Sequence, residues 1–191
     1  MSMNETDWTA FLQSYSAELA SREERLNWAE VPQEARDKRW LGYPPATDDQ
    51  IEATESRLGI TLPEDVRAFY RVSNGWMLCD NSIYDLRPLE DWCWLREGDS
   101  DLWELCQSDE FAIEDDDDYG HEQGTKVCRS LLLNTRGDDA SMLYDPFAKE
   151  DDLKLCFGTW ASWNPAMEWT ATTLSEYFVN EREITNQVDS A

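Results

Sequence analysis

Residues 43–75 constrain the fold more than any other stretch of the chain, because helix-starting and helix-stopping chemistry alternates there at short range. Tyr43-Pro44-Pro45 holds the backbone extended, since proline fixes its own φ and biases the residue before it away from helix. Thr47 and Gln50 have the spacing of a capping box, in which each side chain satisfies an amide at the helix start. Ile51, Thr54 and Leu58 recur on one helical face, and Gly59 stands where a left-handed residue ends such a helix. The spacing predicts a helix over residues 48–58. Pro63 suits the opening turn of another, along which Val66, Phe69 and Tyr70 share a face until Asn74-Gly75 stops it. Only residues 59–62 join the two helices, so they must be neighbours. Glu55, polar on a helix of apolar pattern, is expected to hydrogen-bond the Asn74-Gly75 turn.

On either side of this pair the pattern is weaker but readable. Trp8, Phe11, Leu12, Tyr15 and Leu19 recur at helical spacing, which predicts a helix over residues 7–20 capped by Thr6 or Asp7. Residues 21–39, bounded by the charged runs REER and RDKR, read as a shorter helical segment or a turn. After Gly75 the period changes. Residues 83–89, 127–133, 140–144 and 153–157 are short apolar or alternating runs separated by turns such as TRGDD, and sequential strands of this kind pair antiparallel. Leu174, Tyr177, Phe178 and Ile184 mark a closing helix over residues 174–187. The expectation is an α+β fold, a single domain with helices packed on one face of a small, mainly antiparallel sheet. Its boundaries are residues 40–191, with residues 1–39 as an N-terminal helical extension.

Charge narrows the function classes. Sixteen basic against 41 acidic side chains give a net charge of -25, which disfavours binding to a phosphate backbone or an anionic membrane. No apolar run is long enough for a transmembrane helix, and the opening residues lack the pattern of a secretory signal, so a cytoplasmic location is expected. Ten tryptophans and 41% hydrophobic residues supply a folded core despite the acidity. Residues 90–122 hold fourteen acidic side chains and one arginine, Arg96. An acidic insert is placed at about residues 97–124, with Asp115, Asp116, Asp117 and Asp118 as its densest part. A calcium loop opened at Asp115 would need an oxygen ligand where Tyr119 stands and a glutamate where Lys126 stands, and it fails at both.

Chemistry is sparse. The five cysteines are odd in number, are spaced 14, 13, 22 and 28 residues apart and form no C-x-x-C pair, so no disulfide framework is expected and they read as small buried hydrophobes. The only histidine, His121, lies among carboxylates that would keep it protonated. No zinc, phosphate-loop or dinucleotide motif is present. No catalytic residue, metal or cofactor is assigned.

The segment from residue 40 to residue 76, WLGYPPATDDQIEATESRLGITLPEDVRAFYRVSNGW, resembles the signature of the SUKH superfamily. The matching positions are Pro44, Pro45, Ile51, Glu55, Leu58, Gly59, Leu62, Pro63, Phe69, Tyr70, Asn74 and Gly75. Weaker matches are Leu86-Arg87-Pro88-Leu89, the stretch from Met142 to Pro146, and Tyr177 with Phe178. The resemblance covers about residues 40–180; the insert and residues 1–39 depart from it. It implies a non-catalytic scaffold that in bacteria acts as an immunity protein, occluding a cognate polymorphic toxin; with the charge, the toxin expected is a basic one such as a nuclease. The alternative it implies is a regulatory adaptor of the cell-wall regulator type. The expected partner surface comprises Asp115 to Asp118 with Trp92, Trp94, Trp103, Trp160, Trp163 and Trp169, and exposed aromatics are compatible with a homodimer.

Overall fold

Both cap signals around residues 43–75 act as their chemistry requires. In the computed structural model, which describes residues 2–79, 82–108, 117–148 and 154–188, Thr47 caps helix α4 (Asp48–Leu58), its hydroxyl accepting from the Gln50 amide while Gln50 reaches back. Gly59 ends that helix at φ 70°, a conformation only glycine takes without cost. Helix α5 (Glu64–Val72) follows. Glu55 does not reach the Asn74-Gly75 turn. Its Oε1 accepts from the Leu62 amide at 2.6 Å and from Arg67 Nη2 at 2.6 Å, so it ties the end of one helix to the start of the next. Asn74 reaches out of its turn, accepting from the Leu89 amide at 3.0 Å and donating to the Glu90 carboxylate at 3.0 Å. Gly75 has φ 109°, and a Cβ there would meet the Leu86 carbonyl oxygen at 2.6 Å.

Before this pair come α1 (Glu5–Leu19), α2 (Glu23–Trp28) and α3 (Gln33–Lys38). The cap of α1 is Asn4 rather than Thr6 or Asp7. Trp8, Leu12, Tyr15 and Leu19 are at most 1% exposed, and the Trp8 ring meets Phe69 edge-on at 5.0 Å and Phe178 at 5.6 Å. Buried Asp65 accepts from the Met3 amide at 2.8 Å and the Ser175 amide at 2.9 Å. The N-terminal segment therefore shares the core of the domain it precedes.

The sheet is a five-stranded antiparallel meander in the order β1 (Cys93–Trp94), β2 (Leu131–Leu132), β3 (Ala140–Tyr144), β4 (Phe157–Ala161) and β5 (Asn164–Ala171). Helices α6 (Leu95–Gly98), α7 (Ser100–Leu105) and α8 (Asp117–Cys128) lie between β1 and β2, and α9 (Leu174–Val188) closes the chain. The α+β architecture with helices on a mainly antiparallel sheet is as expected. Residues 83–89 make isolated bridges instead of a strand, because the Asp85 carboxylate takes the Thr135 and Arg136 amides, each at 2.8 Å. Residues 127–133 split between the end of α8 and β2.

Successive strand residues point to opposite faces, and here both faces are covered. Leu131, Leu133, Met142, Tyr144 and Phe157 join the main core with α1, α4, α5 and α9. Leu132, Leu143 and Met167 point the other way and form a second cluster with Leu95, Leu102, Cys106 and Val127. Much of the acidic insert is thus a second helical layer seated on apolar side chains. Cys106 and Cys128 are joined as a disulfide in that layer, which corrects the reading of all five cysteines as free. Spacing along the chain could not show the pair, since it is the return of α8 over the sheet face that brings the two together. Cys79, Cys93 and Cys156 form no disulfide among the described residues.

Candidate partner-binding surface

The outer layer gathers charge because its apolar face is spent on the sheet. Leu95, Leu102 and Cys106 point inward, while Glu97, Asp101 and Glu104 on α6 and α7 are exposed, as are Asp138 and Asp139 on the turn before β3. Asp99 caps α7, accepting from the Leu102 amide at 2.9 Å. A groove of about 580 Å³ runs between α7 and strands β3 and β4, lined by Asp99, Asp101, Asp139 and Trp160 with Arg87 as its one cation. Trp160 Nε1 and Arg87 Nε are buried there with no hydrogen-bond partner among the described residues.

A second cleft of about 730 Å³ opens on the other side of the layer. Its walls are Trp94, Trp103 and Phe147, and the Cys106–Cys128 disulfide lines it. Trp94 and Phe147 stack in parallel planes with centroids 6.0 Å apart. Phe147 is held in place from below. Arg129 binds the fully buried Asp145 carboxylate through two hydrogen bonds, at 3.1 and 2.7 Å, and the same carboxylate accepts from the Phe147 amide at 2.9 Å. Phe147 is 51% exposed. Sequence reasoning missed it, and nothing in the D-P-F run signals an open ring.

The residues proposed from sequence are not one patch. Trp94 and Trp103 line the aromatic cleft and Trp160 the acidic groove. Trp163 is 58% exposed in the turn between β4 and β5. Trp169 is half-buried, donating from Nε1 to Gln123 at 2.8 Å under the Lys126 ammonium, 4.3 Å from its ring centroid. Trp92 belongs to the main core: it is fully buried, and Nε1 donates to the Tyr70 hydroxyl at 2.8 Å. Its position before β1 turns it away from the insert, so it offers a partner nothing. Asp117 and Asp118 open α8, in the stretch described by its backbone alone, as is His121; Asp115 and Asp116 lie outside the described residues. The helix itself replaces the backbone path a calcium loop would need.

Among the described residues no three His, Cys, Asp or Glu side chains converge as a metal site, and no helix is long and apolar enough to cross a membrane. Burial, followed by the Asp145 charge, pushes the Cys156 thiol up to about 12, where a thiol is a poor nucleophile at neutral pH. The matched segment contains the whole helix pair and the sheet: the model of the SMI1 / KNR4 family (SUKH-1) aligns with residues 45–180. No curated protein matches the chain. With a family match over more than half its length, carried on the helix pair, the meander and the first turns of the closing helix just described, the chain belongs to the SMI1 / KNR4 (SUKH-1) family.

Proposed function

We propose that this chain is an immunity protein, acting in the cytoplasm, that binds and neutralises a cognate bacterial polymorphic toxin by covering its active or substrate-binding surface. Family membership supports a general adaptor or immunity role without catalysis. The observation that carries the finer reading is the outer layer, which has exposed carboxylates beside the groove on one side and an open aromatic cleft on the other. A toxin that acts on nucleic acid must present cations to phosphate, and an acidic blocker competes for that same surface. Charge at the rim speeds encounter and rejects wrong partners, while buried aromatic rings hold the complex. Phe147, Trp94, Trp103 and Trp163 are the anchors of this reading.

The test is affinity capture with the wild-type chain and with a variant carrying Asp101→Lys, Glu104→Lys and Asp139→Lys. The captured protein is expected to have a basic domain whose activity the chain inhibits at one-to-one stoichiometry. The variant should associate more slowly, with the difference shrinking as salt rises. A partner that retains full activity in the complex would favour the adaptor role instead, and equal association rates for the two chains would remove charge steering.

A further inference from the structure

We propose that the Cys106–Cys128 disulfide is a redox latch: it holds α7 and α8 together on the outer face of the sheet, and its reduction by a small thiol of the glutathione class releases that layer while the main core stays folded. The latch regulates the surface assigned above; its consequence for a toxin and the reducing compartment in which it works rest on that assignment.

The first ground is what the bond encloses. It joins the end of α7 to the last residue of α8, and the 21 residues between the cysteines carry eight carboxylates and one lysine. Such a segment repels itself when it is brought together. Closing it covalently removes conformations from the open state, by a factor on the order of 100 or more for a loop of this length. The second ground is where the bond sits. Cys106 belongs to the second hydrophobic cluster, and the larger cluster on the opposite face of the sheet contains neither cysteine of the pair. Opening the bond therefore weakens one layer and leaves the helix pair, α1 and α9 packed.

Access is the third ground. Both cysteines line the aromatic cleft, and Cys128 is the more open of the two, Cys106 being only 5% exposed. A thiolate that attacks Cys128 Sγ breaks the disulfide, expels Cys106 as a thiolate and forms a mixed disulfide on Cys128. A second small thiolate attacks the outer sulfur of that mixed disulfide, leaving Cys128 as a thiolate and RSSR as product. With two protons taken up, the protein has gained two electrons and two small thiols have been oxidised to one disulfide. The Trp103 carbonyl oxygen lies 3.1 Å from Cys106 Sγ and 3.7 Å from Cys128 Sγ, so either thiol has an acceptor near its closed position, and the same two exchanges, run backwards with RSSR as the oxidant, re-form the bond. Disulfides in a reducing compartment are typically transient and redox-sensing, which suits a bond in a protein assigned to the cytoplasm.

The experiment compares protein purified without reductant, the same protein after dithiothreitol, and the variants Cys128→Ser and Cys93→Ser. Thiol titration in denaturant should count three thiols before reduction, matching Cys79, Cys93 and Cys156, and all five after it. Hydrogen exchange of α8 amides should rise on the order of 100-fold on reduction, with α5 and α9 changing by less than a few-fold. Cys128→Ser should exchange like the reduced protein in both conditions, and Cys93→Ser like wild type. Five thiols without reductant, or α8 exchange indifferent to reduction, would overturn the latch. Loosening of α5 and α9 in step with α8 would also overturn it, by making the bond a staple of the whole fold. No toxin enters these measurements, so the immunity reading can fail while the latch stands, and the reverse.

Discussion

Replacing Trp92 by alanine separates a core role from a partner-binding role for a residue that sequence reasoning placed at the surface. The indole is fully buried, meets Tyr70 edge-on at 5.4 Å and leans on Tyr144 at 6.2 Å. Its Nε1 donates to the Tyr70 hydroxyl, which in turn donates to the Arg87 carbonyl at 2.8 Å. Truncating a buried tryptophan costs about 3–5 kcal/mol, the lost transfer energy plus the cavity left behind. For a chain of this length each kcal/mol lowers Tm by about 2–4 °C, so a drop of about 6–20 °C is expected. Trp92→Phe keeps most of the ring but loses the hydrogen bond, worth about 1 kcal/mol. Trp163→Ala, at an exposed position, should stay within about 0.5 kcal/mol. The assay is urea unfolding followed by far-UV circular dichroism, comparing midpoints at constant m. A loss below about 1 kcal/mol for Trp92→Ala, outside the range for a core cavity, would refute the burial argument.

Two further outcomes follow from single side chains. Glu55→Gln should cost about 1.5–3 kcal/mol, because the neutral amide gives up charge-assisted bonds to Arg67 and the Leu62 amide; Asp49→Asn on the exposed side of α4 should be silent in the same unfolding assay. The Cys156 thiol titrates at about 12 when folded against an ordinary 9.0, so between those values the unfolded chain ionises it and the folded one does not. That part of the stability is whole below 9.0 and is lost as pH climbs toward about 12. Cys156→Ala should flatten the alkaline limb of a stability profile, and in native protein at pH 8 iodoacetamide should label Cys156 about a thousandfold more slowly than a free cysteine, in line with its thiolate fraction.

The elements legible in the sequence were those whose chemistry is local. Thr47 with Gln50, Gly59 and Pro63 each solve a backbone problem within a few residues of themselves, and α4 came out with its expected ends. The period of Trp8, Leu12, Tyr15 and Leu19 reports one buried face whatever it packs against. Residues 140–144 matched β3 because their alternation serves two buried faces.

What the sequence could not show was which surfaces meet. Glu55 was expected at the Asn74-Gly75 turn, and only the folded path of the link between α4 and α5 brings the Leu62 amide and Arg67 to it. Trp92 and Trp94 stand two residues apart among the same acidic neighbours, yet one lies in the core and the other on a cleft. The chain passes from a 3-10 turn at Leu89–Asp91 into the pleat of β1 between them, and that decides which way each ring points. Composition determined on its own the net charge of -25, and with it the expectation of an acidic surface. The insert as a helical layer, the Cys106–Cys128 pairing and the open Phe147 ring were decided only by tertiary packing, because each depends on residues far apart in the chain being brought to one face of the sheet.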